Sequence, residues 1–260
     1  MSIYKRYVDF VKNTQLHLQP NDWYFKNNQN FTYMLEHVSL QQGYSYLQNI
    51  KVKFSELYFS NFEYFKQLCS LNDKYGNPVT YIYNNFTNCS PTSIRYLYFS
   101  LLILKDMKLY NLNNINIIEI GGGYGGLCFF IQKLSPLFKI KVTNYTIFDI
   151  CEISLLQEKY LDALEINVEC FQLDKYNNIN SNSFLISTYC FSEIPIAIQN
   201  QYIEKIINPY TDYGFIAWNN IPVYNFKQNS IITKNEEIPN TGKFNYFVRF
   251  YPNPISQLTL

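Results

Sequence analysis

The chain has 260 residues, of which 47% are hydrophobic and only 16% are charged, so it can bury a large core and is not expected to be disordered. Its formal net charge of +1 argues against a dedicated nucleic-acid binder, because such a protein needs a broad cationic surface. The longest apolar runs are interrupted well short of a membrane span, and the first residues do not resemble a signal peptide. We therefore expect a soluble cytoplasmic protein with no membrane span.

The six cysteines lie roughly twenty or more residues apart, and no Cys-x-x-Cys pair occurs among them. Structural zinc sites usually take paired cysteines, and no cluster of His and Asp residues at ligand spacing replaces them. The sequence thus predicts no metal site. In a reducing compartment the cysteines are expected to be buried free thiols.

The first part of the chain, residues 1–111, has helical periodicity. Apolar residues recur at steps of three and four, as expected for the buried face of a helix, at Leu57, Tyr58, Phe62, Phe65 and Leu68. The segment NDKYGNP that follows has the composition of a turn. A helix is predicted over residues 91–108, because Ser90 can cap its first N–H groups and Pro91 is tolerated at its first position.

After residue 112, short apolar runs alternate with helical patterns. Strands are predicted at Ile115–Ile120, Val142–Phe148, Ile166–Leu173, Phe184–Thr188 and Gly214–Trp218, and helices at 125–134, 152–164 and 196–207. This alternation is typical of an α/β protein with a parallel sheet covered on both faces. The segments SIITK and FNYFVRFY flank a turn-forming region and predict a terminal antiparallel hairpin.

A glycine-rich turn, GGGYGG, follows the first of these strands and precedes a helix. Gly121, Gly123 and Gly126 match the G-x-G-x-x-G pattern of dinucleotide-binding turns, in which glycine permits positive φ and close approach of the ligand. With Glu119 and Gly125, the same turn also matches the pattern E-x-G-x-G-x-G, which suits S-adenosylmethionine. The turn alone therefore permits either a hydride carrier or a methyl donor.

Three further features favour the methyl donor. More than a hundred residues precede the turn, whereas NAD domains commonly begin near it. The predicted terminal hairpin matches the reversed last strand of class I methyltransferases. Tyr124 is the only side chain of the turn, which leaves an open floor for a zwitterionic methionine tail. Asp149, at the end of the next strand, could accept hydrogen bonds from the ribose of either cofactor and does not distinguish them.

Six blocks, in the same order along the chain, carry a more specific resemblance. They are YMLEHVSLQQGYSYL (33–47), NDKYGNP (72–78), SPTSIRYLY (90–98), IIEIGGGYGGLC (117–128), YTIFDI (145–150) and FSEIP (191–195). With these blocks the chain resembles the class I S-adenosylmethionine-dependent methyltransferases, and more narrowly a family of sugar O-methyltransferases. The glycine turn is common to many methyltransferases, whereas EHV…G.SYL followed by SPTSIRY is the more specific combination.

The resemblance implies an α/β fold with a Rossmann-like class I methyltransferase sheet of seven strands and a terminal antiparallel hairpin. This domain would occupy residues 112–260, and the helical N-terminal region, residues 1–111, would form a cap that binds the acceptor. The implied reaction is methyl transfer from S-adenosylmethionine to a hydroxyl of a sugar, either a sugar nucleotide or a precursor of a surface polysaccharide.

The predicted cofactor contacts lie in the turn and at the ends of the strands. They are Glu119, Gly121, Gly123, Tyr124, Gly125, Asp149, Asp174, Cys190 and Phe191. Glu119 would order the turn or meet the ammonium group of the cofactor, and Asp174 would meet the adenine amino group. Tyr124, Phe191 and also Tyr189 would supply aromatic walls for adenine, the sugar or the sulfonium charge.

A sugar hydroxyl is weakly acidic, so a base should take its proton as the new bond forms. His37 is one candidate, because histidine has a suitable proton affinity near neutral pH. Glu193 is the other, because it follows the fourth strand, where α/β sheets place residues that face a bound ligand. The predicted acceptor-binding residues are Glu36, Asp73, Arg95 and Tyr189.

Two other functions stay open at this point. An NAD(P)-dependent sugar oxidoreductase on a Rossmann sheet would use the same glycine turn. A binding protein that kept the fold and lost catalysis would retain the cofactor residues without a working base.

Overall fold

The computed structural model describes residues 3–176 and 179–254. The chain divides into two compact units, each made of several segments. We call the first the helical unit (Met1–Leu112, Gly123–Ile140, Cys151–Asn167) and the second the sheet unit (Asn113–Gly122, Lys141–Ile150, Val168–Leu260). The predicted domain boundary at residue 112 remains a prediction. It assigns acceptor binding to residues 1–111 and cofactor binding to residues 112–260.

The described residues form helices of very different length. The α-helices are α1 (Ile3–Asn13), α2 (Gln29–Thr32), α3 (Leu40–Lys53), α4 (Ser55–Ser60), α5 (Phe62–Asp73), α6 (Pro91–Leu109), α7 (Gly126–Leu134), α8 (Cys151–Asp162), α9 (Ile196–Tyr202) and α10 (Asn208–Tyr210). Short 3-10 turns lie at Gln15–His17, Pro20–Asp22, Phe25–Asn27 and Ser135–Phe138, and a π turn at Ile203–Ile207 links α9 to α10. None of these helices is long and apolar enough to cross a membrane.

The strands form one small and one large sheet. They are β1 (Tyr81–Ile82), β2 (Asn88–Cys89), β3 (Asn114–Ile120), β4 (Lys141–Phe148), β5 (Glu169–Phe171), β6 (Ser183–Thr188), β7 (Thr211–Trp218), β8 (Ser230–Glu236) and β9 (Tyr246–Pro252). β1 and β2 pair in the helical unit, and the other seven form one sheet in the order β5-β4-β3-β6-β7-β9-β8. The five strands from β5 to β7 are mutually parallel, whereas β9 runs antiparallel to both β7 and β8.

The sheet unit has its own apolar core, to which strands, α9 and the π turn contribute. Ile118 and Ile120 of β3, Leu185 of β6 and Ile216 of β7 are almost fully buried together with Trp218. Because burial of an apolar side chain stabilises the fold by about 1.5–3 kcal/mol, this cluster holds the parallel strands in register. The carboxyl ends of the five parallel strands therefore lie at one edge of the sheet.

In the helical unit, α6 is buried along nearly its whole length. The Ser90 side chain accepts a hydrogen bond from the Ser93 N–H at 3.1 Å, and Pro91 occupies the first position. Both features were predicted, and the predicted helix over 91–108 is confirmed. The predicted turn begins two residues later than expected, because α5 continues through Asp73 before Gly76 takes a positive φ of 91°.

The predicted α/β fold with seven strands and a terminal antiparallel hairpin is confirmed by the strand order. Two details differ from the prediction. The third strand is short, Glu169–Phe171, because the chain turns back at the bridge between Gln172 and Lys175. The thiols are free but not all buried, because Cys151 is exposed at the start of α8.

Candidate functional site

In the sheet unit, four predicted site residues meet at the carboxyl edge of the sheet. Glu119 is the second-last residue of β3, Asp149 follows β4, and Cys190 and Glu193 follow β6. Burial, and then the negative charges of Asp149, Glu193 and Glu119, raise the pKa of the Cys190 thiol. Three carboxyl groups therefore act on one half-buried thiol, which makes this edge rich in acidic groups. We call these four residues the carboxyl-edge cluster.

Glu119 is the most deeply buried member of that cluster, with 1% of its surface exposed. The Tyr145 hydroxyl donates to its Oε2 at 2.8 Å, whereas Oε1 is buried and has no hydrogen-bond partner among the described residues. Burial raises the pKa of Glu119 to about 8, against the opposing effect of the Tyr145 hydrogen bond. An unmatched buried oxygen costs about 1–3 kcal/mol, so this group is suited to accept a donor from a ligand or from the turn.

The glycine turn begins directly after β3. Gly121, Gly123 and Gly125 have positive φ values of 76°, 59° and 95°, the region that side chains disfavour. A Cβ at Gly121 would lie 2.2 Å from the sulfur of Cys190, and one at Gly125 would lie 2.8 Å from Leu161. Both the backbone conformation and close protein neighbours therefore require glycine here, which explains the alternate glycines of the E-x-G-x-G-x-G pattern.

Tyr124, the one side chain of the turn, is 0% exposed. In the helical unit its ring lies 5.0 Å from the Tyr160 ring and 5.6 Å from the Phe25 ring, between ring centroids. Its hydroxyl accepts a hydrogen bond from Asn72 Nδ2 at 3.1 Å. No face of the ring is open to a ligand. Tyr124 could therefore contact a cofactor only through its main-chain atoms.

A buried lysine that the sequence did not single out lies on this tyrosine. Lys26 is 1% exposed, and its Nζ lies 4.1 Å from the Tyr124 ring centroid and 4.7 Å from that of Tyr160. The ammonium group donates to the Asn72 carbonyl at 2.5 Å and to the Tyr160 hydroxyl at 3.2 Å. Burial lowers the pKa of Lys26 to about 8, with Asp73 and then Glu36 acting in the opposite direction. We call Lys26, Asn72, Tyr124 and Tyr160 the buried lysine cluster.

Glu36 and His37, two further predicted residues of the helical unit, are both influenced by the charge of Arg95, a third predicted residue. Burial raises the pKa of Glu36, and the charges of Lys26 and Arg95 oppose that shift. Glu36 Oε1 is buried without a hydrogen-bond partner among the described residues. Arg95 is 7% exposed, and its Nη2 donates to the Leu35 carbonyl at 3.4 Å.

His37 keeps contact with solvent at the end of this segment. Partial desolvation of the imidazole, followed by the charge of Arg95, lowers the pKa of His37 to about 4. At neutral pH the ring is therefore uncharged and can accept a proton. A base of such low pKa is weaker than an ordinary histidine, so correct positioning would have to provide part of its effect.

Asp73, predicted to bind the acceptor, is instead occupied by the start of α6. Its Oδ1 accepts from the Ser90 and Ser93 hydroxyls at 2.8 and 2.7 Å, and its Oδ2 accepts from the Ser90 N–H at 2.5 Å. These three hydrogen bonds anchor the end of α5 to the first turn of α6. A role in positioning the helix explains this geometry without a ligand.

Tyr189 and Glu193 are held by partners within the sheet unit. Tyr189, at a positive φ of 59°, donates its hydroxyl to Glu237, a carboxylate that is 1% exposed and also accepts from the Thr241 main chain. Asn219 Nδ2 donates to Glu193 Oε1 at 2.5 Å. Partial desolvation raises the pKa of Glu193, and the Asn219 hydrogen bond opposes it. Glu237 was missed in the sequence because it lies far along the chain, next to a turn.

Two further predicted cofactor residues differ sharply in exposure. Phe191 is 0% exposed, and its ring packs against Trp218 and Phe226 at centroid distances of 5.9 and 5.6 Å. Asp174 is exposed in the turn after β5. No group of three or more His, Cys, Asp or Glu residues that could hold a metal ion occurs in the described part of the chain.

Comparison with known proteins identifies similar structures but no similar sequence. No family model matches the chain, and no curated protein matches it. Similar solved structures include the CMeT domain of the citrinin polyketide synthase (14% identity, TM-score 0.44, 64% of this chain and 55% of that one). PKMT2 from Rickettsia typhi in complex with AdoHcy is 22% identical, with a TM-score of 0.36, and the match covers 49% of this chain and 26% of that one. LepI in complex with SAM is 11% identical, with a TM-score of 0.41, and the match covers 61% of this chain and 52% of that one.

This chain spans about half or less of the length of these structures, between 26% and 55%. The assignment of the fold rests instead on the strand order, in which the reversed β9 is inserted between β7 and β8. A Rossmann dinucleotide fold has the order 3-2-1-4-5-6 without that insertion. The chain has the class I methyltransferase fold.

Proposed function

We propose that the protein is an S-adenosylmethionine-dependent methyltransferase whose acceptor is a hydroxyl of a sugar. The observation that carries the cofactor assignment is the unmatched Oε1 of Glu119. The ammonium group of the cofactor, or a turn N–H that cofactor binding draws towards the carboxyl group, would supply the missing donor. A cationic donor would also favour the charged form of the carboxyl group.

The electrostatics of the carboxyl-edge cluster support the same ligand over a dinucleotide. Asp149, Glu193 and Glu119 all act on the Cys190 thiol, so acidic groups are concentrated at this edge, although Glu119 itself keeps its proton at pH 7 when no ligand is bound. A pyrophosphate would be repelled there, whereas S-adenosylmethionine carries a sulfonium and an ammonium group. Asp149 is in addition suited to accept from the two ribose hydroxyls.

When bound, the cofactor supplies an electrophilic methyl group on a neutral leaving sulfur, so alignment of the acceptor accounts for much of the acceleration. The protein itself must orient the acceptor and take its proton. His37, which is uncharged above pH about 4, and Glu193, which Asn219 orients, are the candidate bases. Glu36 and Arg95 are proposed to bind sugar hydroxyls or an acidic group of the acceptor. The sugar itself rests on the resemblance of the EHV and SPTSIRY blocks.

Binding of the demethylated cofactor, S-adenosylhomocysteine, tests the first half of the proposal by thermal shift. At a hundredfold excess over Kd the ligand should stabilise the protein by about 2.7 kcal/mol, a Tm rise of roughly 5–10 °C for a chain of this size. A rise with NAD and none with S-adenosylhomocysteine would instead identify the sugar oxidoreductase.

Incubation with methyl-labelled S-adenosylmethionine and a panel of sugar nucleotides tests the second half. Label should appear on oxygen, and uptake on nitrogen or carbon would refute the reaction. His37→Gln and Glu193→Gln should separate the two bases, because loss of the true one lowers kcat by about 100-fold with unchanged affinity for S-adenosylhomocysteine. Cofactor binding without methyl transfer to any acceptor in the panel would favour a binding protein.

A further inference from the structure

A groove with a volume of about 560 Å³ lies in the helical unit, beside the ends of α3 and α6 and the 3-10 turn Ser135–Phe138. We propose that this groove is a second ligand site, which binds a phosphorylated ligand that also carries a flat apolar group, such as a nucleoside diphosphate. The volume lies within the range of about 300–1,000 Å³ found for small-molecule sites. The proposal does not depend on methyl transfer.

The groove concentrates positive charge on a nearly neutral chain. Lys53, Lys105, Lys108 and Lys139 line it together with Glu56, so four positive charges and one negative charge give it +3. The whole chain has a formal net charge of only +1, so the groove is far more basic than the molecule as a whole. Like charges around one groove repel one another, and an anion placed between them would relieve that repulsion.

Helix termini explain only part of this charge. Lys53 is the last residue of α3 and Lys108 the second-last of α6. The C-terminus of a helix is equivalent to roughly half a negative charge, so the two termini together offset about one of the positive charges. The lining therefore stays positive after this correction, which suits a ligand with several negative charges, such as a phosphorylated one, better than a single carboxylate.

Two aromatic side chains line the groove, and one of them lies next to an ammonium group. Phe54, of which 8% is exposed, and Phe138 contribute to the lining, and Lys105 Nζ lies 5.8 Å from the Phe54 ring centroid. Lys139 follows Phe138 at a positive φ of 57°, where its N–H donates to the Pro136 carbonyl at 3.0 Å. Rings beside cations suit a ligand that joins phosphates to a flat base, because the base can stack while the phosphates meet the lysines.

Calorimetric titration with uridine diphosphate and with inorganic pyrophosphate tests the site. The double variant Lys105→Glu/Lys139→Glu should weaken uridine diphosphate binding by about 30-fold or more, since two attractive contacts become repulsive. The control Lys205→Glu/Lys243→Glu changes two exposed lysines of the sheet unit and alters the net charge equally, so affinity should change less than about twofold. If the first pair does not fold, Lys105→Gln/Lys139→Gln should still weaken binding by about fivefold.

The apolar part of the site has its own test. Phe138→Ala should weaken uridine diphosphate by about fivefold and leave pyrophosphate unchanged, because only the base stacks on the ring. Absence of saturable binding to the wild type, or equal losses in the two charge-reversal pairs, would overturn the proposal. Equal affinity for both ligands in every variant would overturn the assignment of a flat group. None of these outcomes depends on S-adenosylhomocysteine, so they are separable from the proposed methyltransferase function.

Discussion

Two buried ionisable groups, Glu119 in the sheet unit and Lys26 in the helical unit, have been shifted towards the same pKa from opposite sides. Burial raises the pKa of Glu119 to about 8 and lowers that of Lys26 to about 8. The cause is the same, since burial disfavours the charged form of either group. Their partners differ. Lys26 has two hydrogen-bond acceptors and three aromatic rings around its ammonium group, whereas Glu119 Oε1 has no donor among the described residues.

This difference separates a structural group from one that is suited to a ligand. The protein supplies the partners of Lys26 itself, so its cost of burial is offset in the folded chain. Glu119 lacks a donor on one oxygen, so a ligand that brings one gains free energy from a group already in place. Burial and a shifted pKa alone would not distinguish them, because both groups have both properties.

The largest effect is expected from Glu119→Gln. The affinity for S-adenosylhomocysteine should fall by about 30–100-fold, because the amide cannot offer a negative charge to the ammonium group. Titration calorimetry measures this directly. The control is Glu236→Gln, an exposed glutamate at the end of β8, which should leave affinity unchanged. Equal affinities of wild type and Glu119→Gln would contradict the proposed role.

Lys26→Met should lower stability by about 1–3 kcal/mol, because the Tyr160 hydroxyl loses the Lys26 donor and the Asn72 carbonyl keeps the Tyr160 hydroxyl as a donor but loses Lys26, while the apolar stem is retained. Urea unfolding measures the change. Lys159→Met, which removes an exposed lysine bonded to the Leu16 carbonyl at 2.7 Å, should cost less than about 0.5 kcal/mol. Folded Lys26→Met should bind S-adenosylhomocysteine with an affinity within about threefold of that of the wild type. A larger loss of affinity would mean that the buried lysine cluster acts on the cofactor site.

Asp73→Asn should reduce stability by about 1–2 kcal/mol, because the start of α6 loses charge-assisted hydrogen bonds. KM for the sugar acceptor should stay unchanged if Asp73 only anchors the helix. The matched control is Asp162→Asn at the exposed end of α8. An increase in KM without loss of stability would restore Asp73 as an acceptor-binding residue.

The pH dependence of stability should separate the two shifted groups most finely. Folded Glu119 keeps a proton that the unfolded chain loses between its ordinary pKa of 4.5 and about 8, so it lowers stability as pH rises through that window. Folded Lys26 releases its proton near 8 while the unfolded chain holds it to 10.5, so stability recovers between those values. Urea unfolding should show that Glu119→Gln loses the fall in stability between pH 4.5 and about 8. Lys26→Met should lose the rise in stability between pH about 8 and 10.5. Persistence of the lower slope in Glu119→Gln would assign it to another group.

Cofactor binding should also release a proton. At pH 7 the carboxyl group of Glu119 is mostly protonated without ligand, and an ammonium partner lowers its pKa, so about one proton should leave on binding. Titrations in buffers with different ionisation enthalpies count the protons. Release of none from wild type, or the same release from Glu119→Gln, would contradict the pairing.

Much of the fold could be predicted because its determinants are local. The alternation of strands and helices, the cap at Ser90 and the positive φ of the turn glycines depend on neighbouring residues or on side-chain size. Predicted Ile115–Ile120 and Phe184–Thr188 differ from the observed strands by one residue at their starts. The third strand was predicted too long, because hydrophobicity does not reveal where an edge strand ends.

The candidate site was only partly predictable. The sequence identified Glu119 and Asp149 from their position at strand ends, but it could not indicate that Glu119 lacks one donor. It missed Lys26, whose partners Asn72 and Tyr160 lie 46 and 134 residues away along the chain. It also treated Tyr124 as a ligand wall, although its ring is enclosed by the helical unit.

By itself, the sequence determined the order of elements, the glycine turn and the set of charged residues near it, because periodicity, backbone freedom and residue chemistry are written in short segments. Only the tertiary structure decided which buried charges have partners and which side chains are enclosed. The physical reason is that hydrogen bonds and desolvation depend on atoms a few ångströms away in space, and distant segments of the chain supply those atoms.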